Sequence, residues 1–150
     1  MKFEFRLKPV LNIKTQKEDI LKGELATALS ILNRENRKLE QMVSELRSYM
    51  VEYKMLLKNM CTANEINSYN AYFVKQKERI EIQREIVNKA RENADKIREE
   101  LISVSKEKKM LEKLEEKKKE IFNKMILMKE QKLIDEIVSY RQNVELAEVK

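Results

Sequence analysis

Read from Leu21 in alternating steps of four and three, the chain lines up Leu21, Leu25, Ala28, Leu32, Glu35, Leu39, Met42, Leu46, Tyr49, Tyr53, Leu56 and Met60, and eleven of these twelve are apolar or aromatic. A heptad spacing held this long is the seam of a coiled coil, because a globular helix has no reason to keep one narrow stripe for so many turns. A second line of the same spacing follows: Ile66, Tyr69, Phe73, Gln76, Ile80, Gln83, Val87, Ala90, Ala94, Ile97, Leu101 and Val104, ten of twelve apolar or aromatic.

The stretch between the seams, NMCTANE, carries Thr62 and Glu65 at the S/T-x-x-E spacing of a capping box. In such a box the hydroxyl and the carboxylate each accept from a backbone N–H that the new helix leaves unpaired, and Cys61 and Ile66 are placed to close a hydrophobic staple across it. A connection this short forces the two helices to run antiparallel. Folded at about residue 63, the chain sets Met60 against Ile66, Tyr53 against Phe73, Leu46 against Ile80, Leu39 against Val87, Leu25 against Leu101 and Leu21 against Val104. Leu32 meets Ala94 and Ala28 meets Ile97, so that large faces small. Lower down, Glu18 comes opposite Lys108. Glu35 faces Ala90 in this register; it is read as leaning out to Arg91 or solvent, against the alternative of a register-fixing or partner-binding charge. Gly23 lies inside the first helix and weakens it by about 1 kcal/mol relative to Ala. A parallel homodimer of one long helix is the competing arrangement, and the capping box argues against it.

The predicted fold is all-α: two long helices in an antiparallel coiled-coil hairpin, one domain over residues 1–150. It has an arm at 1–8, a first helix at about 9–60, a turn at about 61–64 and a second helix at about 65–146. One Gly, one Pro and no Trp leave few turns for a layered core, and 39% charged residues suit long helices with a narrow apolar side.

The same composition excludes several functions. With no histidine and the single Cys61, neither a disulfide framework nor a His/Cys metal site is expected, and Cys61 has no base beside it in sequence. No glycine loop is present to cradle phosphate. No enzyme activity and no cofactor are therefore expected. The net charge of +6 is spread among acidic residues, as in KARENADKIREEL, which argues against nucleic acid and for a helix surface laced with i,i+4 pairs. No window approaches the ~20 apolar residues that span a bilayer, and the start, MKFEFRLKPVLNIK, has no signal-peptide core, so a soluble, cytoplasmic protein is expected.

Pro9 suits the first turn of a helix, and Phe3, Phe5 and Leu7 before it alternate like an extended strand. The register sets Pro9 against residue 116 or 117. Beyond that point the second helix has no helical cover apart from what the arm reaches, an overhang of about 40 Å at ~1.5 Å per residue. A one-sided stripe runs along it through Phe122, Ile126, Leu133, Ile137, Tyr140 and Val144, widened by Met125, Met128, Ile134 and Val138. Such a face marks an interaction site, and methionines adapt to irregular surfaces. Pattern alone supports a partner-entering stripe and a self-association seam equally.

The segments FEFRLKPVL, SYNAYF, KEKKMLEKLEEKKKEIF and EQKLIDEI, in this order over nearly the whole chain, resemble the FliJ family of the bacterial flagellar type III export apparatus. The resemblance implies a non-enzymatic stalk and chaperone escort, similar to the central stalk of rotary ATPases. Its overhang would enter the hexameric flagellar export ATPase, promote assembly of that ring and couple it to the export gate, a membrane protein with a cytoplasmic part. Export chaperones would be further partners, and the setting cytoplasmic, peripheral to the inner face of the cell membrane at the flagellar base. The expected ATPase-binding residues are Phe122, Met125, Ile126, Lys129, Leu133, Ile134, Ile137 and Val138. Those implied for docking to the gate are Leu46, Tyr49, Tyr53, Tyr69 and Tyr72, with Gln76, Arg79 and Gln83 departing from the family pattern nearby. Leu46, Tyr49 and Tyr53 serve equally as seam packing; Tyr69 and Tyr72 are read as the exposed anchors. A homo-oligomeric scaffold, or a stalk of a related secretion or rotary ATPase system, is the alternative.

Overall fold

A computed structural model describes residues 1–149; residue 150, the last of the predicted domain, lies outside the described residues. The chain forms two helices packed against each other in a hairpin, α1 (Lys8–Lys58) and α2 (Ala63–Glu148), and no strand occurs among the described residues. The link follows from its residues. Asn59 N–H donates to the Leu56 carbonyl at 3.2 Å, tightening the last turn of α1, and Thr62 Oγ1 accepts from the Glu65 N–H at 3.4 Å. With Ile66 N–H donating to the Thr62 carbonyl at 3.3 Å, Thr62 is the N-cap of α2. Met60, expected to pair with Ile66, is fully exposed at 106%. It falls in the non-helical link, where its side chain no longer points along the seam, while Cys61 and Ile66 are half-buried.

The packing divides into two units. The first, Lys17–Ser103, contains the link and both flanking helix segments. Apart from Met60, every member of the two expected seams within it is buried or half-buried. Ala94 is the deepest residue at 1% exposure, followed by Val87 at 3% and by Ala28 and Leu21 at 4%, and the methyl groups of the two alanines let the opposing helix approach. The expected contact between Tyr53 and Phe73 is present, edge to face with ring centroids 5.4 Å apart.

Glu35 departs from expectation. It neither leans out to Arg91 or solvent nor faces Ala90 alone; it is buried at 8% and meets Gln83, one heptad nearer the link. The Gln83 amide nitrogen donates to Glu35 Oε2 at 2.7 Å and to the Glu35 carbonyl oxygen at 3.0 Å. Gln83, buried at 8%, is itself one of the two polar members of the second seam, and its long side chain reaches across so that the two polar residues satisfy each other. Arg34, 3.3 Å away, and Lys38, at 4.0 Å, lie beside the carboxylate.

The second unit joins Met1–Gln16 to the part of α2 from Val104 onward. Leu11, Val104 and Phe5 are its buried residues, at 5%, 5% and 7% exposure. Lys8 pairs with Glu115 at 3.0 Å and Lys14 with Glu107, so the start of α1 runs antiparallel to α2, but each partner on α2 lies a few residues nearer the link than the expected register sets it. Pro9 occupies the first turn of α1, where its missing N–H is no loss. The arm, however, is not a strand. It has no strand to pair with, so residues 6 and 7 turn, the Lys8 N–H donates to the Phe5 carbonyl at 3.0 Å, and Phe3 and Phe5 fold onto α2 while Leu7 stays 36% exposed. Burying Phe5 contributes about 1.5–3 kcal/mol. The arm thereby covers α2 further than the register of Pro9 suggests, as far as Phe122, whose ring centroid lies 5.6 Å from that of Phe3.

Two measurements check this account. Hydrogen bonding from Gln83, followed by the Lys38 and Arg34 charges, holds the Glu35 carboxyl below its ordinary value of 4.5. A carboxyl depressed by folding contributes stability that is present above its unfolded value and lost as pH falls through the lower folded one. The melting temperature of the native protein should therefore drop more steeply below about pH 4.5 than that of Glu35→Gln, whose profile loses this component. At Gly23 an added Cβ meets nothing within 4 Å. Gly23→Ala should raise stability by about 0.5–1 kcal/mol in urea unfolding, with no change of fold.

Candidate functional site

Past Ile126 α2 carries little cover: every residue from 127 to 149 is exposed. Phe122 and Ile126 are half-buried, and Met125 is 47% exposed. Lys129 Nζ lies 3.8 Å from Met1 Sδ. Leu133, Ile134, Ile137 and Val138 are 60%, 53%, 48% and 47% exposed, and Tyr140 and Val144 extend the row. Leu133, Ile137, Tyr140 and Val144 fall on one helical face by their four-three-four spacing, flanked by Ile134 and Val138. Water gains nothing from such a face, and a helix segment this bare draws little stability from its own backbone. Its polar side makes only local bonds, such as Gln131 Nε2 to Asp135 Oδ1 at 3.0 Å. What the segment offers is an apolar ridge with charges at its margins.

The second candidate region lies beside the link, in the unit Lys17–Ser103. Tyr49 stacks on Tyr72, ring centroids 4.1 Å apart at 25°, and touches Tyr69 at 5.6 Å. Tyr53 contacts Tyr69 at 5.4 Å, and Phe73 joins both Tyr69 and Tyr72 at 6.3 and 6.4 Å. The structure brings four of the five expected gate-docking residues into this one cluster. Tyr69 and Tyr72, expected as exposed anchors, are instead half-buried against α1. Tyr72 lies outside the four-three line of the seam, but its ring is wide enough to reach Tyr49 from the flank. Leu46 and Gln76 are half-buried, Gln83 is buried in the pair with Glu35, and Arg79 is exposed. Phe73 was legible only as a seam residue, and nothing in the heptad pattern marked Phe3 or Phe5 as cover for α2.

No group of residues that could hold a metal ion occurs among the described residues, and Cys61 is free and half-buried. No helix among them is long and apolar enough to cross a membrane.

An antiparallel helical hairpin packed along a heptad seam belongs to the coiled-coil proteins. The chain is a member of the family described as Flagellar FliJ protein, which matches residues 1–146. No curated protein and no solved structure matches it. Family membership makes the chain a component of the flagellar export apparatus, in a family that is generally non-enzymatic.

The ring cluster yields a stability test. Stacked and tilted aromatic pairs add about 0.5–1.5 kcal/mol beyond the area they bury. Tyr49→Ala and Tyr72→Ala, each of which removes two ring contacts, should lower stability by similar amounts. Equal losses for Tyr49→Ala and Tyr72→Ala in thermal unfolding fit the stacked pair; an unaffected Tyr72→Ala does not.

Proposed function

We propose that the protein is a stalk of the export apparatus whose bare α2 segment, from about residue 127 to 148, enters the hexameric export ATPase. There it promotes assembly of the ring and its turnover. The observation that carries this reading is the ridge of Leu133, Ile134, Ile137, Val138, Tyr140 and Val144, exposed on a continuous helix and uncovered by the protein's own residues. A ring with an apolar lining buries such a ridge on all sides, which a flat surface does not, and the stabilisation grows with the area removed from water. Lys129 at the near end of the ridge supplies a charge for the mouth of the ring.

The aromatic cluster beside the link is the second proposed surface. Its rings are held by stacking, so an incoming partner meets a preformed patch and little side-chain freedom is lost on binding. Docking there to the cytoplasmic part of the export gate, through Leu46, Tyr49, Tyr53, Tyr69 and Tyr72, would link gate and ATPase, with the protein peripheral to the membrane. Carriage of export chaperones belongs to the same reading.

Purified protein added to the cognate export ATPase should raise both hexamer formation and ATP turnover. Leu133→Asp, Ile134→Asp and Ile137→Asp combined should abolish both effects while circular dichroism stays close to that of the parent. A loss of helicity in proportion to the loss of activity would mean that the ridge belongs to the protein's own packing. Light scattering separates the self-association reading: a mass that rises with concentration through the same three residues would favour a homo-oligomeric scaffold.

A further inference from the structure

Residues 1–7 lie where the heptad pattern gives no reason to place them. Phe5 is buried, Phe3 packs ring against ring on Phe122, and Met1 reaches Lys129. Phe122 and Ile126 begin the same apolar stripe that continues through Leu133 and Ile137, and they alone on it beyond residue 121 are half-buried. The segment is thus laid over the first turns of a surface whose remainder is bare.

Its hold is narrow. Residues 1–5 belong to no helix or strand, so no backbone ladder ties them down. At their root is the Lys8–Glu115 ion pair, whose lysine side chain is 53% exposed, and exposed pairs hold weakly. A cleft of about 550 Å³ runs along the contact between Phe3 and the neighbouring Ile121, Phe122 and Met125, leaving one flank of the phenyl rings open. Segments with few buried groups and no ladder open locally far more readily than the whole chain unfolds. Opening here joins Phe122 and Ile126 to Leu133 and Ile137 in one unbroken stripe.

We propose that residues 1–7 are a displaceable strap, an intramolecular competitor that occupies the start of the partner-binding stripe on α2 and lifts when the partner takes its full length. The competition with the export ATPase rests on the function proposed above; the lifting of the strap does not. A protein whose competent form is a fraction of the total binds more weakly by that fraction, so a strap shut in about nine molecules of ten weakens binding about tenfold.

Two measurements decide it. Phe3→Ser with Phe5→Ser, at unchanged helicity, should bind the export ATPase on the order of ten times more tightly than the parent. Joining Phe3→Cys to Phe122→Cys with a short bifunctional thiol reagent, in a Cys61→Ser background, should weaken binding relative to the same triple variant left unlinked. Unchanged or weaker binding by the serine variant would overturn the competition. If the parent itself does not bind the ATPase, the proposed function fails and the strap is decided by thiol labelling alone. Ile126→Cys in the Cys61→Ser background should label several times faster when Phe3 and Phe5 are serine. Equal labelling rates with phenylalanine and with serine at positions 3 and 5 would show that residues 1–7 do not cover Ile126 and would overturn the proposal.

Discussion

The structure depends on one interaction, the burial of a heptad seam between antiparallel helices. A helix of this composition gains little from its backbone alone, since most helical stability in proteins comes from packing an apolar face. Here that face is narrow, and three of its four deepest members are small: Ala28, Val87 and Ala94, at 4%, 3% and 1% exposure, beside Leu21 at 4%. Close approach of the two helices, more than bulk, fills the seam. Apart from the contact that Phe3 and Phe5 make, what lies outside the seam is mostly polar or solvent-facing, which is why few large apolar side chains are deeply buried and why apolar surface elsewhere in α2 stands out.

Within that seam the buried polar pair is the exception that sets alignment. Two apolar layers can slide by a heptad and still bury oil against oil, but Glu35 and Gln83 find their bonds in one alignment only. A charge taken out of water without a partner is costly, so a slipped register leaves a carboxylate and an amide stranded. Polar layers of this kind trade some stability for a single pairing, the use best attested in coiled coils.

The helices, their direction and the seam positions were legible in the sequence because periodicity is a property of each helix by itself. The link was legible because Thr62 and Glu65 carry local capping chemistry that needs no distant partner. What escaped the sequence depends on reach between elements. Gln83 meets Glu35 a heptad away from the expected position because the helices align a few residues nearer the link than a fold at residue 63 sets them, as Lys14 and Glu107 also show, and the two long side chains span the remainder. Tyr72 sits off the four-three line, yet its ring closes on Tyr49. The alternation of Phe3, Phe5 and Leu7 has the look of a strand, but with no sheet edge to join, the phenyl rings take the nearest apolar surface, which is α2. The bare ridge from Leu133 to Val144 was legible as apolar because its spacing is a property of α2 alone.

The aromatic arrangement also gives the molecule an optical signature. The chain has five tyrosines and no tryptophan. Four of the phenols, Tyr49, Tyr53, Tyr69 and Tyr72, share the cluster beside the link, while Tyr140 stands 71% exposed on the ridge of α2. With no indole to drain the excitation, ultraviolet emission divides between a crowded, mutually quenching group and one solitary emitter. A guest seated over the solitary phenol would change its light and leave the crowd's untouched, so the protein carries its own dye on the ridge proposed for binding.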